Sequence, residues 1–479
     1  MLLKRTSENS LPLRAIQFGE GNFLRAFIDW MLDVMNKKGR FNGSVRLVQP
    51  QAAGMAAAIN AQDGLYTLLL RGVADGKIEE KKTIIECVAG CLDAYTQWEL
   101  VAQDFRNPTV EFVFSNTTEA GIEYKEEPYT PGETQKTFPA KLTALAYERF
   151  KCGLPGLTFI PCELIECNGK TLKKYMLRYA EAWKLPAEYT LYLENECAFV
   201  DTLVDRIVAG YPRAEAAEME KKFGYEDKLI DCGEIFHFFV LETKPETLRG
   251  LPFAECGLNV RITDDLVPYR TRKVRFLNGA HTANVLAAIL GGLKQVDEMM
   301  DDPLFGETVR RSIYDEIFPT VDLPEAEKKF FADSVVERFK NPFAHHQLLS
   351  ISLNSVSKFK VRVLPTLLDY LAIKKTLPVR LTFSLAALLR FYRIETDMGN
   401  KATGHADGFD YPVSDSAEVI AFFAGKAKLP AKEFVHAALV NDAFWGMDLT
   451  AVPGLESAVA GHLEKIEAAG IRAALAALK

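Results

Sequence analysis

Apolar and polar positions follow one rhythm in the first half of the chain and another in the second. LRAIQF (Leu13 to Phe18) is a short, mostly apolar run that predicts a strand. Gly19-Glu20-Gly21-Asn22 follows as a turn. From there the apolar residues recur at helical spacing: Phe23, Phe27, Met31 and Met35, with Leu24, Ile28 and Leu32 beside them, until Gly39 offers a stop. SVRLV (Ser44 to Val48) predicts a second strand. Strand, glycine turn, helix, strand is the order of a βαβ unit with a parallel sheet. Strand-like runs (LYTLLL, TIIECV, EFVFSN, LTFIPCELI, FHFFVL) and helix-like runs (KLTALAYERF, TLKKYMLRYAEAWKL) then interleave to about residue 260.

Past residue 265 the strand signals almost vanish. Long amphipathic runs take over: EAEKKFFADSVVERF, LPTLLDYLAIKK, RLTFSLAALLRFYR and the Ala-rich end VAGHLEKIEAAGIRAALAAL. The pattern predicts an α/β N-terminal domain over residues 1–262 and an all-α C-terminal domain over 263–479, divided near Thr263-Asp264-Asp265. The polar, Gly-containing stretch Gly399 to Asp410 reads as an exposed loop.

Composition narrows the function classes. A chain of 479 residues is too long for one ordinary core and suits two domains. With 48% hydrophobic and 25% charged residues it reads as an ordinary soluble globular protein. The formal net charge is −7 and no basic run stands out, which argues against a nucleic-acid partner. The start, MLLKRTSENS, has no apolar signal region, and no apolar stretch reaches the roughly 18 residues of a membrane span. The 8 cysteines are scattered and read as cytoplasmic free thiols. Cys87-x3-Cys91 and Cys162-x4-Cys167 lack the second pair or the histidines of a structural zinc site, so no metal is expected.

The stretch with the densest chemistry is KVRFLNGAH, Lys273 to His281, which opens the apolar run HTANVLAAILGGL. At about 100° per residue, Lys273, Asn278 and His281 share less than half of a helix circumference. Gly279 sits between the amide and the imidazole. A glycine inside a helix costs about 1 kcal/mol relative to alanine, and close approach of a ligand is one reason to keep it. The plain alternative is a helix start with a snorkelling lysine, a locally bonded asparagine and a satisfied core histidine.

The first glycine turn resembles a dinucleotide fingerprint. Gly19 permits the tight turn, Gly21 lets backbone approach a pyrophosphate, and the N–H groups at Asn22 and Phe23 open the helix. Leu24 stands where the third glycine of G-x-G-x-x-G belongs. The second strand ends in Gln49-Pro50-Gln51, with neither the usual acid for a ribose 2′-hydroxyl nor a cation for a 2′-phosphate. The Gln49 amide can bond the hydroxyls, which favours NAD over NADP. SNTTEAGI (Ser115 to Ile122) ends a strand-like run and puts Asn116 and Thr117 where a ribose or nicotinamide would lie; an N-capping turn is the plain alternative. Glu163, in PCELIECNG, also follows a strand and reads as a loop carboxylate or a site residue. Asp205 and Arg206 fall inside an apolar segment, where a structural ion pair is the plain reading.

Four motifs in order carry a family resemblance: FGEGNFLRAF, QDGLYTL (Gln62 to Leu68), TLVDRI (Thr202 to Ile207) and KVRFLNGAH, with SKF (Ser357 to Phe359) as a fifth. Together they resemble the long-chain polyol dehydrogenases, the mannitol dehydrogenase family, from about residue 14 to the last helices. Within it, GEGNFLRAF, SNTTEAGI and HHQLLSISLNSVSKF look most like the branch that acts on hexuronates; other branches show RAH where this chain has Arg25-Ala26-Phe27. The resemblance implies a Rossmann-like N-terminal domain, a helical C-terminal domain and an active site between them. It also implies NAD as cofactor and metal-free hydride transfer with a small hexuronate as substrate. Lys273 then matches the catalytic acid/base, Asn278 an oxyanion-stabilising amide and His281 a substrate-positioning imidazole. Asp205 and Lys358 match pocket-lining positions, and His346, Lys360 and Arg362 lie near Lys358 in sequence as further partners for a carboxylate. One departure stands out. The family carries a second oxyanion asparagine after a Cys-Asp pair; here the pair is Cys162-Glu163 and the next residue is Leu164, so another donor, or Glu163 in a proton relay, would fill that role. Two other classes use the same residues differently: a lysine Schiff-base aldolase or isomerase with Lys273 as nucleophile, and a non-catalytic nucleotide sensor.

Overall fold

The computed structural model describes residues 1–478 apart from 8, 75, 118–120 and 407, and at 396–398 the backbone alone. The chain divides into two compact units. One comprises Met1–Arg71 and Lys77–Leu266, the other Gly72–Gly76 and Val267–Lys479.

In the first unit, β1 (Leu13–Phe18) and β2 (Ser44–Gln49) pair in parallel on either side of a helix over residues 22–37, as the opening pattern predicts. β3 (Tyr66–Ala74) and β4 (Lys77–Ile85) leave for another sheet. β5 (Val88–Asp93) returns beside β2, while β6 (Phe112–Ser115), β7 (Thr158–Pro161) and β8 (Ala198–Phe199) extend the main sheet beyond β1. The order is β5-β2-β1-β6-β7-β8, and every pairing is parallel. Side chains alternate across it: Ala15, Leu47, Phe112 and Ile160 enter one core, and Ile16, Val48, Val113 and Phe159 the other. Burial on both faces is why these strands read as continuous apolar runs. The chain leaves β1 in one direction and returns at β6 on its far side. The crevice beyond the carboxyl ends of those two strands is therefore a topological switch point, where open α/β sheets bind ligands.

Two small sheets complete this unit. β9 (Asp201–Asp205) ends at the carboxylate singled out above. β10 (Val208–Gly210) and β11 (Asp231–Gly233) join β3 and β4 in the order β10-β11-β3-β4. β12 (Phe238–Glu242) and β13 (Val260–Thr263) join β9 in the order β13-β12-β9.

The second unit is mostly helical and is built around Ala280–Leu290, an eleven-residue segment with every residue buried. A helix buried all round has no polar face, which explains why the run after His281 is mostly apolar, with only Thr282 and Asn284 polar before Leu290. Helix Val379–Phe391 packs on it, and helix Leu455–Ala476 packs on Val379–Phe391 in turn. One expectation fails here. Gly399 to Asp410 is not a loop: β14 (Ile394–Met398), β15 (Lys401–Ala406) and β16 (Phe409–Ser414) form an antiparallel sheet. Gly404 opposes Tyr411, and a Cβ on it would lie 2.3 Å from that ring, so the glycine that looks like a loop signal makes room for an aromatic neighbour. The C-terminal unit is thus helical with a three-stranded insert rather than all-α.

Among the described residues three helical stretches carry π-helical segments with i→i+5 hydrogen bonds: Arg25–Asp29 just after the glycine turn, Val274–Gly279 within the helix over 267–290, and Ser312–Ile317. Gly72–Gly76, the tip of the β3–β4 hairpin, belongs to the second unit, where the Gly76 N–H donates to Glu337 Oε1 at 3.0 Å. No described helix is long and apolar enough to cross a membrane.

Candidate active site

The candidate site residues fall in two sets, one in each unit. In the first, Gly19 leaves β1 with φ +108°, and a Cβ there would lie 2.7 Å from the Asn116 carbonyl oxygen. Only glycine fits a left-handed turn pressed against the end of β6. Gly21 differs: it is extended (φ −70°, ψ 169°), and no heavy atom lies within 4 Å of where its Cβ would stand. The space above it is open on the side where helical N–H groups begin. Arg25 N–H, bonded to Gly21 O at 3.3 Å, is the first in the helix to find a backbone acceptor.

The neighbouring candidates offer backbone more than side chain. Phe23 stacks on Phe27 with ring centroids 5.2 Å apart, and the Asn22 amide oxygen accepts a bond from Arg25 at 2.6 Å. Gln49 is buried and its amide is spent on the following loop: Oε1 accepts from Ala56 N–H at 3.1 Å and Nε2 donates to Gln51 O at 2.9 Å. The ribose contact expected of it therefore requires those bonds to open. Glu20 belongs to the same closure, with its carboxylate accepting from Met55 N–H at 3.2 Å and burial raising its pKa. Gly54 was not among the expected residues. A Cβ on it would lie 2.2 Å from Glu20 Oε1 and 2.5 Å from the Gln49 amide carbon, so it lets the loop wrap both side chains.

Glu163 is buried under the turn that follows β6. Its carboxylate accepts from Ser115 Oγ at 3.0 Å, Thr117 N–H at 2.9 Å and Thr117 Oγ1 at 3.0 Å. Burial raises its pKa, and the bonds from Thr117 and Ser115 pull the other way. The carboxylate thus holds Thr117 in place and ties the ends of β6 and β7 together. Asn116 leans across the same gap, its amide 3.4 Å from the Cys162 carbonyl. Thr118, Glu119 and Ala120 of this stretch lie outside the described residues. Leu164, where the resemblance expects an amide, is 58% exposed. Asp205 is buried at the end of β9, opposite Phe238. Arg206 beside it donates to the carbonyls of Ala26, Ile235 and Phe236 and covers the Trp30 ring at 4.0 Å.

In the second unit Lys273, Asn278 and His281 lie on the helix over 267–290. Lys273 precedes the π segment, Asn278 is inside it and His281 follows. The α-helical wheel needs correction accordingly. An inserted residue turns everything after it back by about 100°, which brings His281 closer to the line of Lys273. Gly279 is explained by packing, not by a ligand: its Cβ would lie 2.9 Å from the backbone oxygen of Arg362, at the end of helix Ser355–Arg362.

That close approach brings the Lys358 helix onto the Asn278 segment. Lys358 donates to Ile351 O at 2.9 Å, and burial, with the nearby Arg362 charge, lowers its pKa. Lys360 turns elsewhere, toward Gly446. His281 lies flat on Phe339 with centroids 4.0 Å apart and meets the edge of His346 at 5.4 Å. Its Nε2 is buried with no hydrogen-bond partner. Burial, then the charges of His346, Arg338 and Arg362, push its pKa well below the ordinary value and keep the ring neutral. Burial likewise lowers His346. Asn278 is half-buried, and its side-chain amide bonds no other described residue. No described group of His, Cys, Asp and Glu is arranged to hold a metal ion.

Comparison with known proteins matches residues 13–250 to the mannitol dehydrogenase Rossmann domain and residues 265–467 to the mannitol dehydrogenase C-terminal domain. The chain is 45% identical over 478 residues to altronate oxidoreductase of Cronobacter sakazakii, covering 98% of this chain and 97% of that protein. It is 41% identical to altronate oxidoreductase of Halalkalibacterium halodurans, covering 98% and 94%. Among solved structures, a D-sorbitol dehydrogenase in substrate-free form superposes with TM-score 0.80 at 22% identity, over 99% of this chain and 100% of that one. The Pseudomonas fluorescens mannitol 2-dehydrogenase in ternary complex with NAD and D-mannitol gives 0.71 at 21% identity, over 99% and 96%. At these identities the structural likeness speaks for the fold.

Proposed function

Because the chain belongs to the mannitol dehydrogenase family, we propose that it is an NAD-dependent oxidoreductase that reduces the keto group of D-tagaturonate to give D-altronate, reversibly. The coarser statement, an NAD-linked oxidoreductase of polyols or sugar acids, rests on the family. The choice of substrate rests on relatives at 41–45% identity over nearly the whole chain that are altronate oxidoreductases.

The N-terminal unit fits the dinucleotide. Gly21 leaves open space at the start of a helix, Gly19 admits the turn, and both stand at the switch point of a parallel sheet. When bound, the nicotinamide supplies the hydride that reaches the keto carbon. The protein then manages the charge that grows on the oxygen. Asn278 donates a hydrogen bond to that oxygen and the Lys273 ammonium gives it a proton. In the reverse direction neutral Lys273 removes the hydroxyl proton, which requires a pKa near the working pH rather than the ordinary value of about 10.4. His281, neutral and with an unspent nitrogen, positions a substrate hydroxyl, and Lys358 meets the carboxylate. His346, whose ring meets that of His281, lines the substrate side of this helix.

The observation that carries this reading is unspent hydrogen-bonding capacity on one helix. A buried imidazole nitrogen without a partner is costly and rare in a finished core, and His281 Nε2 is one. It lies three residues from an amide that bonds no described residue. The test is NADH oxidation by the purified protein with tagaturonate, fructuronate and fructose. Fastest turnover is expected with tagaturonate. Turnover of fructose alone would overturn the substrate. No NADH oxidation with any of them, together with borohydride trapping of a sugar acid on Lys273, would overturn hydride transfer.

A further inference from the structure

Arg25 lies four residues past Gly21, at the start of the π segment that follows the helix's first turn, and its side chain is fully buried. Its guanidinium donates through Nη1 to Leu229 O at 2.7 Å and through Nη2 to Asn22 Oδ1 at 2.6 Å. Asp231 Oδ2 stands 3.8 Å from Nη2, and the Tyr66 ring lies 4.9 Å from the guanidinium carbon. The Tyr66 hydroxyl donates to the Arg25 carbonyl at 2.8 Å and is 3.2 Å from Asp29 Oδ2. One arginine, two aspartates and a tyrosine are thus packed beneath the glycine turn, all fully or almost fully enclosed.

Such a cluster is a poor way to gain stability. Replacing a buried ion pair by apolar side chains of similar volume is often neutral or stabilising by about 1–4 kcal/mol. This cluster is also incompletely paired: Arg25 Nε, Asp29 Oδ1 and both Asp231 oxygens have no hydrogen-bond partner. What a guanidinium offers that a leucine does not is direction, through donors fixed in a planar fork.

Here one arm of the fork ends on Asn22, the first residue of the helix. The Asn22 amide is confined on its other side as well. Gly210 has φ +81°, and a Cβ on it would lie 2.2 Å from Asn22 Nδ2. The opposite end of the turn is tied separately, by Gln17 Nε2 donating to Gly19 O at 3.1 Å. Between these ties run Glu20 and Gly21, and above Gly21 the space is open. We infer that Arg25 is a positioning residue for cofactor binding: acting through Asn22, it fixes the direction of the first N–H groups of the helix, which meet the pyrophosphate. This rests on the reading of the turn as the NAD site.

The test is a double-mutant cycle on NADH affinity, measured by protein fluorescence with the melting midpoint as a control. Arg25→Lys keeps the charge facing Asp29 and Asp231 but loses the fork, and Asn22→Ala removes the acceptor. Each should raise the NADH Kd about tenfold, and the double variant should also stand near tenfold, because coupled residues do not add. Turnover at saturating NADH should stay within a few-fold of the parent. An additive, about hundredfold loss in the double variant, or a folded Arg25→Lys protein within twofold of the parent Kd, overturns the inference. If Arg25→Lys does not fold, Asn22→Ala alone decides: unchanged affinity overturns it and a tenfold loss supports it. Failure of the underlying reading looks different, since the parent protein would then bind no NADH and Gly21→Val would change nothing.

Discussion

A Cβ on Gly279 would lie 2.9 Å from the carbonyl oxygen of Arg362, so the helix over 267–290 and the Lys358 helix touch backbone to backbone at that point. The contact is tighter than a methyl group allows. Overpacking a fitted site costs about 1–3 kcal/mol. Gly279→Ala should therefore lower the melting midpoint and, by pushing helix Ser355–Arg362 away, reduce kcat/KM for the ketouronate while leaving NADH affinity intact. An unchanged midpoint would mean that the two backbones part without penalty.

The two turn glycines should separate cleanly. Gly21→Val meets no protein atom within 4 Å of its Cβ, so the protein should fold normally and lose NADH binding. Gly19→Ala meets the Asn116 carbonyl from a left-handed backbone, so it should fail at the level of folding. Thermal melts alongside NADH titrations distinguish the two outcomes; a well-folded Gly21→Val protein with full NADH affinity would remove the turn from the cofactor site.

Lys273→Met keeps the volume of the stem and removes the amine. General acid–base catalysis contributes about 10²–10⁴-fold, and turnover should fall by at least that order with NADH binding retained. The pH profile of altronate oxidation adds a second check. His281 is held neutral by burial and its cationic neighbours, so it does not supply the basic limb. That limb should persist in His281→Asn and vanish in Lys273→Met.

Asp29 and Asp231 are pushed up to about 7 by burial, against the opposing pull of Arg25. Their folded-state values lie above the unfolded ones, so between about pH 4 and 7 the folded chain binds more protons than the unfolded chain. Stability from these groups falls as pH rises through that window and levels off above it. The buried histidines act in the opposite sense, losing stability as pH falls below the ordinary imidazole range. Asp29→Asn removes one term of the first kind, so its melting midpoint should gain on that of the parent between pH 5 and pH 8. Parallel midpoints in the two proteins would contradict the raised value.

Substrate choice should depend on Lys358. A site built for a carboxylate discriminates against a ketose lacking it because the partner is left unpaired. Fructose should show kcat/KM at least ~10²-fold below tagaturonate, roughly 3 kcal/mol of transition-state binding, with fructuronate between them. Lys358→Ala should narrow the gap by damaging the uronate reaction most. Equal kcat/KM for fructose and tagaturonate in the parent would return the protein to the polyol-reducing branches.

Periodicity made much of this molecule readable. Leu13–Phe18, the glycine turn and Phe23 to Met35 announce a βαβ unit because strands buried on both faces and amphipathic helices leave plain patterns. The helical runs from Glu325 onward are equally plain. What escaped has physical causes. A π segment uses the same residues as an α-helix, so nothing in VRFLNG marks the extra residue that reorients His281. Glycine has more than one use: Gly279 and Gly404 make room for a carbonyl and a ring, the first far off in sequence and the second across a strand pair that a polar, glycine-containing stretch does not announce. Gln49 has the position of a ribose ligand, and that its amide also bonds the loop after it depends on how that loop folds back, which no local pattern marks. Arg25 gave no sign of its burial, since the groups that accept its charge come from Leu229 and Asp231, some two hundred residues away.

The hairpin tip at residues 72–76 makes the boundary between the units a matter of inheritance as well as of space. The helical unit is not one continuous stretch of gene, because the N–H that Glu337 accepts is encoded far upstream, at Gly76. A recombination event joining two homologous genes at codon 267 would transfer less than a whole unit. It would pair the hairpin tip of one parent with the helix Glu325–Phe339 of the other. Tip and helix are therefore expected to change together along a lineage, and chimeras spliced at the apparent linker should recover stability when residues 72–76 travel with the downstream half.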